Sequence, residues 1–517
     1  MKQPAFLRII AALLTTALFC GMISGCTPKR HKKIPLLEDV LKRGDLKEVT
    51  LTFYFQGREG KYTREVLDEV EKRSKDRLNV KLDFKWISSN SYLSDIRKIT
   101  ASDAPCDAFY YTGTRGAAAD NIKKLSVDGV LLNISALFPR YAPGYFRKLS
   151  EDELKAIKID DTIYGIPNRM PTANRRYAVV KDDLMKKYNI PEIKNYRDFE
   201  FYMSTVKEHE PGIFPLMMNN TAIALFAEAG GYVVLDAALG LVYKWEDPGM
   251  KLMAWEQTPE YREGIKILNA WCRKEYMSRN FRVLTRPDNA IVTSGRLAST
   301  IGQQTTEVSY NTLLRYNNIL DWGFREYPLY ADKVVQRNSP ADNMMLFCKN
   351  SANPERAIMF IEWLQSSQEN YDLLMYGIKG KHYDLYGNQY TLPKEEKLDD
   401  AHLNWNGKRA FMNIDYERYS TVQTPDYIKA YIESIKSGTK YPPHTGFYPD
   451  YRPVLDVARN REKTNGSVEP GVNRSYFSMD KVDEYIKEQK NAGVERLLTT
   501  VQSQLDAWRA SKDKKNN

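Results

Sequence analysis

The side chains best fitted to chemistry in this sequence are ones that would hold a ligand rather than cut a bond. Trp86, Tyr92 and Tyr111 offer flat aromatic faces, and Gln56, Arg58 and Thr112 offer hydrogen-bond partners, all at or just beyond the ends of predicted strands. An aromatic face covers apolar C–H surface and a polar neighbour bonds hydroxyls, the pairing that a concave site for a sugar requires. Trp245 joins them, because a buried Trp would be out of place in the polar run Tyr243-Lys244-Trp245-Glu246-Asp247. Reactive centres are not signalled. The sequence has no HExxH, GxSxG or GxGxxG, so no metal, catalytic nucleophile or cofactor is expected. Gly377 to His382 (GIKGKH) lacks both the spacing of a phosphate loop and the Ser or Thr after its Lys, and reads as a helix C-cap followed by turn glycines. A glycosidase needs two carboxylates facing each other across the sugar. Among 66 Asp and Glu nothing marks such a pair. A cell-surface glycoside hydrolase or lyase therefore stands as one alternative to binding, and a peptide-binding receptor as another.

One further residue has a chemistry set by its position. Lys2 and Arg8 precede an apolar run from Ile9 to Ile23, shorter than the ~20 residues that span a bilayer. That is the form of a secretory signal. Ser24-Gly25-Cys26 closes the run and resembles a bacterial lipobox, in which cleavage falls between Gly25 and Cys26 and the cysteine sulfur carries lipid. Residues 1–25 are then a signal peptide, and 26–45, charged and holding Pro28 and Pro35, a lipid-anchored linker. Lys29 to Lys33 within it is a basic run, either simply solvated or in contact with anionic lipid or cell wall.

The totals bound the rest. A chain of 517 residues has room for two or three domains around a large core. The formal net charge is +10, or +8 without Lys2 and Arg8 (10 − 2), and Lys and Arg alternate with Asp and Glu throughout. A nucleic-acid binder would gather that excess on one face or tail. Of five cysteines, Cys106, Cys272 and Cys348 remain beyond the linker; widely spaced and without CxxC, they form neither a zinc site nor a disulfide framework and read as core residues with one optional bridge.

The elements that must position the candidates are legible in the first third of the chain. Val49, Leu51, Phe53 and Phe55 alternate with Thr50, Thr52 and Tyr54, which predicts a half-buried strand. A helix is expected over 62–78, a second strand over 80–86, a helix over 92–100 and a third strand over 107–111. Strand and helix in alternation signify a parallel α/β sheet, and in such sheets ligands sit beyond the carboxyl ends of the strands. Further strands are expected at 176–180 and 322–327. Helices are expected at 182–188, 197–208, 259–276 with Thr258 as its cap, from Pro354 with Asn353 as its cap, from Gln368 to Gly377, and over 494–508.

Asn353 to Leu385 (NPERAIMFIEWLQSSQENYDLLMYGIKGKHYDL) resembles the most distinctive segment of the family 1 extracellular solute-binding lipoproteins that feed complex-sugar ABC importers of Gram-positive bacteria. Tyr376 to Tyr383 is especially close. The lipobox, Gly295 to Thr300 (GRLAST) and a C-terminal amphipathic helix ending in QLDAW fall in the family's order, so the likeness spans the mature chain. It implies an α/β, periplasmic-binding-protein-like type II fold: two α/β lobes joined at a hinge, with an oligosaccharide in the cleft between them. The first lobe would hold 46–175 plus 330–385, and the second 176–329 plus 386–517, with crossings near 175–181 and 322–328. Gln303 and Gln304, after the segment that in the family runs into the cleft, and Asn343, at the return to the first lobe, become further candidates. The implied partners are the sugar, ABC permease subunits and, through the lipid, the outer face of the cell membrane, for a protein acting as a monomer.

Overall fold

The computed structural model describes residues 46–113, 121–173, 175–217, 224–277, 289–303, 306–393, 396, 400–423, 425–436, 439–467 and 479–516. The expected signal segment, the linker, Cys26 and Gln304 lie outside them. Labelled in chain order, the strands that matter here are β1 (Val49–Gln56), β2 (Val80–Ile87), β3 (Ala108–Thr112), β4 (Gly165–Pro167), β5 (Arg176–Lys181), β6 (Ser299–Gln303), β7 (Phe324–Pro328) and β8 (Asn343–Phe347).

β1 buries Leu51, Phe53 and Phe55, and its register with β2 is parallel from Val49↔Val80 to Gln56↔Ile87. The helix Thr63–Leu78 between them turns Val66, Leu67 and Val70 inward, and Asn79 at φ 45° reverses the chain directly into β2. β3 joins β1 on the other side, again parallel. The sheet then departs from the all-parallel expectation. Its order is β2-β1-β3-β8-β4, and β8 runs antiparallel to both its neighbours. The reason is the route: β8 is reached from far along the chain and enters at the end where β3 finishes, so Asn343 faces Thr112 and Phe347 faces Ala108. Cys106 and Cys348, just outside these paired ends, form a disulfide across 242 positions, while Cys272 is half-buried and outside any disulfide.

After β4 the chain passes within eight residues into β5, whose six residues are all buried. β5 lies between β6 and β7, antiparallel to both, so the two segments expected to cross between lobes are neighbouring strands, with Arg325 opposite Val180. Helices Tyr196–His209 and Pro259–Arg273 cover this sheet with Phe199, Tyr202, Leu268 and Trp271. Thr258 caps the second of them, its Oγ1 accepting from the Tyr261 amide (3.2 Å). A neighbouring core joins Val233, Leu239 and Tyr243 to Val454 and to Leu497, Val501 and Leu505 of the last helix, Val494–Asn516. The chain returns from β7 to β8 over 329–342.

Two expectations at the familiar segment differ. Pro354–Leu364 is a helix, but Asn353 makes no side-chain cap; its backbone N–H donates to Asp107 Oδ1 (3.3 Å) instead. Residues 402–420, expected on the far side of the 385/386 boundary, pack on the five-stranded sheet. Trp405 and Phe411 stand 5.6 and 6.1 Å from Phe55, and Asn413 Nδ2 donates to Gln365 Oε1 (2.7 Å). An aromatic face on β1 and β2 has to be covered, and this late segment supplies the rings that cover it. Gln368–Tyr376 ends at Gly377 with φ 95°, as expected.

Candidate functional site

The order β2-β1-β3 creates the site. From β1 the chain turns to one side for β2 and then crosses to the other side for β3, so the connections diverge above the seam between β1 and β3. Such a switch point leaves an open crevice at the carboxyl ends of the strands. Gln56 stands at that end of β1 and Thr112 at that end of β3. Tyr110, two residues earlier, shares the face of Thr112 because strand side chains alternate. Across the next seam the Tyr110 hydroxyl donates to Asn343 Oδ1 (2.6 Å), which fixes both groups.

A loop from the far end of the chain forms the wall. Gly407 approaches β1 so closely, at φ 119°, that a Cβ there would lie 2.6 Å from both Phe55 and Trp405. The loop is tied on three sides. Trp86 Nε1 donates to the Asn406 carbonyl (2.6 Å), Asn406 Nδ2 to the Arg58 carbonyl (3.0 Å), and Asn168 Nδ2 to the Arg409 carbonyl (2.8 Å). The open cavity so formed is about 300 Å³, with Gln56, Tyr110, Thr112, Trp405, Arg409 and Met412 among its walls, at the small end of ligand sites. Its described lining carries no carboxylate. A pair of acids for glycoside cleavage is therefore not provided there. Of its two cations, Lys408 turns its ammonium toward Glu417 (3.7 Å) and the Tyr376 ring (4.5 Å), which leaves the exposed Arg409 guanidinium at the rim.

Just outside the cavity, Asp342 precedes Asn343, and its carbonyl accepts from the Gly113 amide (2.8 Å). Desolvation, reinforced by the charge of Asp236, pushes its carboxyl up to about 7. At the β4–β5 link Arg176 is buried with Nε and Nη1 unbonded, and loss of solvent pulls its guanidinium down; Glu228, whose Oε2 accepts from the Arg176 backbone (2.9 Å), is pushed up to about 7 for the same reason.

The structure brings Gln56, Thr112 and Asn343 together and places the other candidates as follows. Trp86 is half-buried against Phe55 and serves the loop through its indole N–H. Arg58 is exposed and contributes its carbonyl. Tyr92 is not an open platform: it is fully enclosed, and its hydroxyl donates to the Tyr54 carbonyl (2.8 Å). Tyr111 is buried on the opposite face of β3 from Tyr110. Trp245 is likewise not free, since it packs on the core of Val233, Leu239 and Tyr243 despite its polar sequence neighbours. Gln303 is exposed at the end of β6, opposite Arg176 and away from this cavity, its amide bonded to Thr306 Oγ1 (3.1 Å). Tyr110 lies in the strand-end stretch 110–113 where a ligand is expected but is not itself a candidate there, and Trp405 and Arg409 fall outside every expected location. Parity with Thr112 could have found Tyr110; no local signal marked the other two.

No family model matches the chain. A carbohydrate ABC transporter substrate-binding protein of Streptococcus pneumoniae serotype 4 is 20% identical over 468 residues, covering 87% of this chain and 88% of that one. The polygalacturonan/rhamnogalacturonan-binding protein YtcQ of Bacillus subtilis is 21% identical over 273 residues, 50% of this chain and 53% of its own length. The crystal structure of the N-glycan transport solute binding protein NgtS of Streptococcus pneumoniae superposes with a TM-score of 0.71 at 18% identity, over 90% of this chain and 99% of NgtS. The fold is that of a solute-binding protein. Such a fold is two-lobed.

Proposed function

We propose that this chain is the substrate-binding component of an ABC importer, a receptor that captures an oligosaccharide between its lobes and presents it to a permease. The observation that carries the reading is the cavity at the β1/β3 switch point, walled by hydrogen-bonding side chains and an aromatic ring, in a solute-binding-protein fold matched over nine-tenths of the chain. The first lobe holds the five-stranded sheet with 402–420 laid over it, and the second holds β5 to β7 and the last helix. A sugar that touches both lobes favours the closed arrangement, a population shift set by its preference for that state. The receptor acts as a monomer on the outer face of the membrane, held by lipid on Cys26. The Cys106–Cys348 bridge agrees with an oxidising compartment. Among the described residues no helix is long and apolar enough to cross a membrane.

A thermal-shift screen of the chain against plant-polysaccharide and N-glycan fragments tests this. A ligand that binds only the folded state raises the midpoint by mass action, and Gln56→Ala or Thr112→Ala should weaken the effect by about tenfold in Kd, roughly 1.4 kcal/mol. A chain that answered to peptides and to no glycan would sink the sugar assignment. Turnover of a glycan would replace it with the enzyme. For the anchor, Cys26→Ala should release into the medium a protein that still binds sugar.

A further inference from the structure

A second concavity, of about 970 Å³, lies elsewhere on the molecule and shares no wall residue with the strand-end cavity. Three separate stretches enclose it: 152–161, 441–448, and the last helix from Gln504 to Lys512. Three half-buried aromatic rings stand in its walls, Tyr441, Trp508 and Tyr448, the last with its hydroxyl donated to the Ala156 carbonyl. Trp508 rests one side on Phe447, with centroids 5.7 Å apart, and has the Lys512 ammonium 5.8 Å from its centroid. Tyr441 is backed by the Arg337 guanidinium, 5.2 Å away. Trp508 and Tyr441 are therefore held in place from behind. Gln504 holds the frame rather than a ligand, since its amide is used twice on the backbone of Asp450 (2.7 and 2.9 Å).

The charges of the groove are unevenly matched. It carries four lysines against three aspartates. All three aspartates are engaged, Asp160 with Lys123 (3.2 Å), Asp152 with Lys155 (3.4 Å), and Asp161 in an interaction of its own. Lys158 has no carboxylate partner among the described residues, and Lys512 is engaged only with the Trp508 ring. The groove thus holds two ammonium groups with no carboxylate partner among the described residues, Lys512 at the indole and Lys158 elsewhere in its wall.

We propose that this groove is a second binding site, for a saccharide that carries carboxylates. Trp508 and Tyr441 pack on the sugar's C–H faces, and Lys158 and Lys512 pair with its acid groups. Because those lysines are exposed, the pairing is weak and yields to salt, so the aromatic contact sets the base affinity and the charge sets the choice between acidic and neutral sugars. The inference does not depend on the strand-end cavity being the transport site.

The test is the indole N–H resonance of Trp508 in the full chain, assigned by its loss in Trp508→Phe, during titration with trigalacturonate and with neutral galactotriose. The expected result is a shift with trigalacturonate that weakens at high salt, and a Kd at least about tenfold poorer in the double variant Lys158→Glu, Lys512→Glu. Both positions are exposed, so the fold is kept. The thermal unfolding midpoint of the same variant without sugar should match the parent's. A Trp508 resonance that ignores trigalacturonate, or that answers equally to galactotriose, or a double variant with unaltered affinity, overturns the proposal.

Discussion

Tyr110 and Asn343 hold each other across the seam between β3 and β8, and the arrangement has an energetic edge. A neutral hydrogen bond contributes about 1 kcal/mol net, but leaving a buried partner unbonded costs about 1–3 kcal/mol. Tyr110→Phe removes the donor and leaves the Asn343 amide free to rotate. The expected outcome is a loss of stability near the lower figure together with a sugar Kd raised about tenfold, read by chemical denaturation and calorimetry. Asn343→Ala, which removes the bond but leaves the Tyr110 hydroxyl at the cavity, should cost less affinity than Tyr110→Phe; the reverse order would show that Asn343 is itself the ligand contact. Single residues were also where the sequence was hardest to read. β3 is buried at every position, so no alternation of polar and apolar residues tells which face Tyr110 or Tyr111 takes, and it is Tyr110 that lines the cavity. Trp245 is hard to read for a related reason: its immediate sequence neighbours are polar, but it packs against a core that also draws on the last helix, some 250 positions away.

At the scale of elements, the loop around Gly407 joins the site to the core. Its left-handed φ and the 2.6 Å approach to Phe55 and Trp405 leave no room for a side chain. Gly407→Ala should destabilise the protein by about 2–4 kcal/mol, backbone strain and overpacking together, and should lift Asn406 off the Trp86 indole. Urea unfolding and the intrinsic Trp fluorescence of the folded state would both register it; an unchanged midpoint would mean that the loop is not packed as described. Most regular elements were legible because they follow local rules: period-2 alternation in β1, Thr258 as a cap, Pro354 at a helix start, and Gly377 as a stop. The loop was not legible, because nothing periodic marks 402–412 and its partners lie some 350 residues earlier. The antiparallel course of β8 was missed likewise, since direction in a sheet is set by the route of the chain and not by the strand's composition.

For the whole molecule, two sets of buried groups pull stability in opposite directions with pH. Desolvation draws His402 down to about 4 and His444 to about 3. In the unfolded chain they take up protons below about 6.5, so their contribution is complete above that pH and is lost as pH falls toward 3. Asp342 and Glu228 are pushed up to about 7; their contribution is complete below about 4 and is lost as pH rises through 7. In the native chain the two windows overlap and offset each other. Asp342→Asn removes part of one side, so thermal midpoints measured between pH 4.5 and 7 should climb more steeply with pH than in the parent; an identical slope would place Asp342 in a wetter site. The disulfide acts on the same scale. Replacing both Cys106 and Cys348 by Ser should lower stability by about 2–5 kcal/mol and leave sugar affinity at room temperature unchanged, by denaturation and calorimetry. The position of β8 between β3 and β4 also imposes an order of events in time. A ribosome or export channel that has delivered the first 340 residues has released β3 and β4 with their facing edges unpaired, and exposed edges of this kind invite pairing with other chains. The sheet closes only when residue 347 arrives, and a contact made over such a separation is slow to form. A chain with this topology is committed to its final shape late, when Cys348 is brought up to Cys106.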